Sequence, residues 1–157
     1  MYVFNQARKR LEPTDTKCQY CKTGHSSHME DNYFLSLYKE QDRTNIIVYR
    51  SVKYQKIPVG ISRCKSCRDI HEAAATKAGW FSAGIAIGLE LILFKIDLLW
   101  GFIGIFPALL IIFGGTDYLQ KNFVEDQGVS PKVDGAKQNE AVQHLVMSGW
   151  SFTMPSA

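Results

Sequence analysis

Four cysteines fall as two pairs, Cys18-Gln19-Tyr20-Cys21 and Cys64-Lys65-Ser66-Cys67, and none is left over. Two residues between thiolates let one tight turn aim both sulfurs at a common point about 2.3 Å away, and two such turns complete a tetrahedral zinc shell. Lys22, Lys65 and Arg68 flank the pairs, where positive charge favours the thiolate form, and Gly24 permits the turn after the first pair. A disulfide or redox pair is the alternative, but no strand–helix context of thioredoxin type surrounds either motif. A third reading leaves the cysteines unmetallated in a core. Cys18, Cys21, Cys64 and Cys67 are expected to hold one structural zinc ion.

His71 follows Cys67 by four residues and would lie one helical turn from it, placed to support the cluster or to replace a cysteine as ligand. His25 and His28 are expected to be loop histidines, because four thiolates already satisfy one ion. A closed thiolate shell also argues against catalysis, since a catalytic zinc keeps one position open for water. The chain has no Gly-x-Ser-x-Gly, no phosphate loop, no His-Glu-x-x-His and no deaminase signature. No catalytic residue is assigned, and no enzymatic activity is expected.

The 42 residues between the pairs exceed a minimal four-cysteine finger and must contain structure. Tyr33–Tyr38 and Asn45–Val52 are rich in aromatic and β-branched residues and predict strands, with Lys39–Thr44 as the polar turn between them. A third short run, Lys53–Ile61, is interrupted by Pro58 and Gly60, and Arg68–Lys77 is strongly helix-forming. The order of cysteine turn, β-hairpin, second cysteine turn and helix, over residues 18–77, resembles the treble-clef and zinc-ribbon fold group. Such domains bind nucleic acids, proteins or lipids, or simply hold a chain together, so the resemblance implies a fold and leaves the role open. Nucleic acid is a partner class that the interleaving of Tyr20, Tyr33, Tyr38, Tyr49 and Tyr54 with Arg43, Arg50, Lys53 and Lys56 allows. Alternating strand residues packing a small core explain the same aromatics and are favoured.

Overall composition, at 157 residues with 46% hydrophobic and 21% charged, would describe an ordinary soluble domain, but the average hides a division. Residues 79–116 contain only Glu90, Lys95 and Asp97 as charges. Lys95-Ile96-Asp97 divides this block into two stretches, about 79–95 and 98–115, each reaching roughly 27 Å as helix, just enough for a hydrocarbon layer. The expectation is a two-helix transmembrane hairpin over 78–116. Trp80 and Trp100 suit interfacial belts, and Arg63, Lys65, Arg68 and Lys77 before the first span predict cytosolic N- and C-termini. No apolar run follows Arg8-Lys9-Arg10, so no signal peptide is expected. Residues 1–78 carry a net charge of +6, which would draw them to anionic lipid headgroups.

Gly84 and Gly88 form a Gly-x3-Gly that predicts close helix packing, within the hairpin or between subunits of a homo-oligomer or membrane complex. Gly101, Gly104 and Pro107 in the second span suggest a kink near Phe106. Glu90 would cost about 3 kcal/mol inside a bilayer unless neutralised, paired or facing water. It could line a pore or make an intramembrane hydrogen bond. Residues 117–136 are expected to be a linker, followed by an amphipathic helix over Ala136–Ser148 closed by Gly149, with Trp150 and Phe152 docking onto the zinc domain or a partner.

The expected architecture is thus an α+β zinc domain of treble-clef type at 1–77, a membrane hairpin, and a cytosolic tail at 117–157 with a short helix. Two roles suit it: an assembly or adaptor module at a membrane, or a homo-oligomeric channel-like effector with Glu90 facing the pore and the zinc domain as sensor.

Overall fold

The computed structural model describes residues 1–21, 23–46 and 49–156. The chain forms two compact units, one from residues 1–65 together with 132–157 and the other from residues 66–131.

The first unit is built on a four-stranded sheet. Strands β1 (Tyr2–Asn5) and β2 (Arg10–Pro13) pair antiparallel, as do β3 (Tyr33–Ile46) and β4 (Tyr49–Ile61). The order is β1-β2-β4-β3, and β2 meets β4 in parallel at the Leu11–Val59 pair. Lys39–Thr44 is strand, not the expected turn, pairing through a bulge between Glu40 and Asp42 with the Ser51–Gln55 stretch of β4. The polar composition misled because Glu40–Thr44 is exposed, so neither face of the ribbon there demands apolar residues. The connecting residues Ile47 and Val48, expected as strand, lie outside the described residues. The run 53–61 continues β4 through Pro58, which pairs with Ser36. A strand proline is tolerated where an edge is largely open, and β4 offers such an edge except at Val59.

Leu37, Val59 and Ile61 are fully buried and form the centre of a small core, joined by Tyr20, Ala136 and Val142. The last two come from the tail, where helices α4 (Lys132–Lys137) and α5 (Glu140–Met147) belong to this unit. Asn139 caps α5 by accepting the Ala141 N–H at 3.0 Å. Gly149 ends it at φ +90°, with the Gly149 N–H bonded to the Val146 carbonyl and the Trp150 N–H to that of Leu145. This is a Schellman closure, and its left-handed residue favours glycine. Ser151 then exchanges backbone hydrogen bonds of 2.7 and 2.8 Å with Tyr38 of β3.

The second unit is helical. Helix α1 (Lys65–Ile96) runs 32 residues without a break. Asp97 stops it and caps α2 (Leu98–Leu110) by accepting the Leu99 N–H at 2.8 Å. Helix α2 contains Pro107 and widens into a π turn at Ile111–Gly115, from which α3 (Thr116–Glu125) continues. A proline removes one intrahelical donor, and an inserted wide turn is one way a helix absorbs such a disturbance. Residues 117–125 are therefore helix, not linker. Their apolar members are used: Phe123 stacks edge-on against Phe81 at 5.9 Å and lies under the Lys77 ammonium at 4.5 Å.

Helices α1 and α2–α3 meet through small residues. On α1 the buried positions Ala74, Ala78, Ser82 and Ala86 recur every turn, and on α2 they are Gly101, Gly104 and Ala108. A Cβ at Gly101 would stand 2.3–2.5 Å from the Phe94 ring, and one at Gly104 would stand 2.3 Å from Leu93 Cδ1. The outward faces are large and apolar: only 11% of the most apolar stretch of α1 and 17% of that of the Leu98–Glu125 helix is buried within the protein. A core helix of a water-soluble domain would be mostly covered. Both helices are long and apolar enough to cross a membrane.

Candidate metal centre

The first cysteine pair sits on a turn that the backbone closes tightly. The Cys18 N–H donates to the Gly24 carbonyl at 2.8 Å, and the Gly24 N–H returns toward Cys21 Sγ at 3.3 Å. The second pair lies where β4 ends and α1 begins, with Cys67 on the first turn of the helix. The Gln19 N–H donates to the Ser62 carbonyl at 3.0 Å, fixing one cysteine turn against the approach to the other.

The four sulfurs of Cys18, Cys21, Cys64 and Cys67 all lie within 4.8 Å of one another, and Cys21 Sγ is 3.8 Å from Cys64 Sγ. Thiolates 2.3 Å from a tetrahedral ion are separated by roughly 3.8 Å, so the spacing suits a four-thiolate metal shell. Four soft, deprotonatable donors and no carboxylate in the cluster fit a zinc-like ion better than calcium or magnesium. Burial raises the Cys21 thiol, but hydrogen bonds from the Gly24 and Thr23 backbone, the Thr23 side chain and Cys18 outweigh it and bring the group down to about 6. The turn thus favours the ligating form. Of the expected cationic helpers, Arg68 is paired with Glu72 at 2.9 Å, while Lys22 lies outside the described residues.

Gly24 occupies the space between the turns. A Cβ there would meet Cys64 Sγ at 2.9 Å and Cys21 Sγ at 3.2 Å. Replacing Gly24 with alanine is expected to push the sulfurs apart and weaken metal binding about 10- to 100-fold, the range seen when groups supporting metal ligands are disturbed. Competition against a chromophoric chelator measures it, and an unchanged affinity would show that the sulfurs shift without penalty.

His71 is fully buried, and its Nε2 lies 2.9 Å from the Ser130 carbonyl oxygen. A carbonyl only accepts, so Nε2 carries the proton and donates it. The ring is not among the convergent metal-binding atoms. Arg63 gave no signal of its role in the sequence beyond its charge. It is buried, its Nε donating to the Asp31 carbonyl at 2.7 Å, so it braces the approach to Cys64.

The glycines of α1, Glu90 and the strand aromatics lie outside the cysteine cluster. Gly84 and Gly88 face open space, with no atom within 4 Å of where a Cβ would stand, so the contact between α1 and α2 uses other small residues. Both carboxylate oxygens of Glu90 are buried beside Gly104. Tyr20 is buried and its hydroxyl donates to the Lys132 carbonyl at 3.1 Å, while Tyr38 and Tyr54 stack edge-on at 5.8 Å with the Lys56 ammonium 5.8 Å from the Tyr38 ring. Much of the aromatic interleaving is thereby spent on internal packing. The Tyr49 and Arg50 side chains lie outside the described set.

No protein-family model matches the chain, and comparison with curated proteins and with solved structures returns no match.

Proposed function

We propose that the chain is an integral membrane protein with two spans, whose cytosolic zinc-bound unit serves as an assembly or adaptor module. The observation that carries this reading is the convergence of four thiols into one closed set of donors. A saturated shell leaves no place for substrate or activated water, so the metal's work is to hold a surface in shape. The order of elements, with a cysteine turn, the β3–β4 hairpin, a second cysteine turn and α1, supports assignment to the treble-clef group. The bare apolar faces of α1 and α2–α3 support insertion in lipid, and the cations at Lys65 and Lys77 favour cytosolic termini. The channel reading lacks a comparable observation, because the Glu90 oxygens are buried against α2 rather than presented outward.

The test is recovery of partners from native membranes with the full chain and with Cys18→Ser. Retention of the full chain in membranes after alkaline carbonate, together with partners that are lost in the variant, is the expected result. Release by carbonate removes the membrane reading. A chain that recovers no partner, or the same partners without metal, removes the adaptor. Ion flux in liposomes that disappears in Glu90→Gln would install the channel in its place.

A further inference from the structure

Helix α1 carries two side chains whose covered polar atoms have no partner among the described residues. Ser82 is 1% exposed and its Oγ has no hydrogen bond among the described residues; Glu90 is half-buried, and its two carboxylate oxygens are covered and likewise unbonded. An unpaired hydroxyl away from water is costly, and an unpaired carboxylate far more so, because it is charged. Among the described residues of the helical unit, no cation bonds to Glu90. Helix α2, packed against it, has no ionisable side chain. On α1, Lys95 is exposed at the end of the helix and Lys77 lies thirteen residues back. Asp97 caps α2. Beyond the π turn the first ionisable residue is Asp117, thirteen residues past Gly104 and about 20 Å along the helix at 1.5 Å per residue.

We propose that Glu90 is a proton-binding site of the helical hairpin. Size selects the ligand. A Cβ on Gly104 would stand 3.1 and 3.2 Å from the two carboxylate oxygens, so the space beside the carboxyl is already narrower than one methyl group needs. A proton requires no volume, whereas an alkali ion must bring a shell of further oxygen ligands into that space, and no other acidic group joins Glu90 in a metal-binding cluster among the described residues. Gly104 lets α2 close over the acid, and the bound proton removes the charge that would otherwise oppose insertion. The inference rests on the membrane reading above, since lipid on the outer faces is what keeps water from the carboxyl.

A hydrophobic carbodiimide tests it on the full chain in liposomes. The reagent requires the acid form: the acid proton moves to a carbodiimide nitrogen, a carboxyl oxygen bonds to the central carbon, and the adduct rearranges to an N-acylurea of summed mass. The expected result at neutral pH is an adduct mapped to Glu90 by mass spectrometry, unaffected by added sodium. Infrared spectra should show the carbonyl stretch of a protonated carboxylic acid that disappears in Glu90→Gln, with the thermal midpoint of that variant unchanged because one neutral group replaces another. An adduct suppressed by sodium would overturn the proton assignment in favour of a metal cation. Absence of both adduct and acid band in carbonate-resistant protein would overturn the site alone, and release by carbonate would overturn the membrane reading beneath it.

Discussion

Replacing Cys64 with serine is expected to abolish metal binding and unfold the unit formed by residues 1–65 and 132–157. The apolar core of that unit is small, resting on Leu37, Val59, Ile61 and a few neighbours, and a domain's net stability is only about 5–15 kcal/mol. Structural zinc in small domains supplies a comparable amount, roughly 10–16 kcal/mol of apparent binding energy at neutral pH. Removing one of four thiolates should therefore take away most of what keeps the sheet folded. Metal analysis should fall from one equivalent to none, and near-ultraviolet dichroism from the tyrosines should collapse. Chelation of the unaltered chain should reproduce the loss, and zinc should restore it. His25→Ala is the control, expected to keep both metal and dichroism. A Cys64→Ser protein that retains its tyrosine dichroism would show that the core is sufficient without the ion.

The second large effect concerns the helical unit. Leucine at both Gly101 and Gly104 should force α2 away from α1, because a single Cβ at either already falls 2.3 Å from Phe94 or Leu93. Overpacking costs about 1–3 kcal/mol per site, so the pair should lower stability by a few kcal/mol. Leucine at both Gly84 and Gly88 adds equal bulk in open space and should leave the isolated chain unchanged. Helicity against a denaturing detergent, followed by circular dichroism, compares the two variants. Equal loss from both pairs would contradict the packing described above. Loss of an oligomer only in the Gly84/Gly88 variant would show that this face meets a second copy.

This contrast also marks how far the sequence could be read. Cysteine spacing is local information, since two residues between thiols define a turn wherever it occurs, and all four clustered cysteines are legible from it. The clustering of the four cysteines is the part of that reading which the fold shows, and the break at Lys95–Asp97 is equally local, because a cation and a helix cap interrupt an apolar run. Which side of an apolar helix meets its neighbour was not legible. When every face is apolar, periodicity has no polar side to oppose, and Gly84/Gly88 looked no different from Ala74, Ala78, Ser82 and Ala86. Strand ends failed for the converse reason: Lys39–Thr44 is polar because the ribbon is solvated on both faces, and pairing there is carried by the backbone. The N-terminal strands offered little signal, since Tyr2–Asn5 and Arg10–Pro13 are only four residues each. The placement of α4 and α5 with the sheet depends on distant partners, such as the bond from the Tyr2 hydroxyl to Asn139 Oδ1 at 3.1 Å.

The joint between the two strand pairs is a single residue deep. Leu11 opposite Val59 is the registered pair linking β2 to β4 among the described residues, buttressed by the Arg10 guanidinium 4.1 Å above the Phe34 ring and by Gly60, where a Cβ would strike Phe34 and Pro13 at 2.9 Å. A seam so short lets the amino-terminal ribbon peel off as a piece while β3 and β4 stay zipped. Its amides should then trade hydrogen for deuterium well before those of the longer ladder, making the first dozen residues the earliest part of the sheet to breathe.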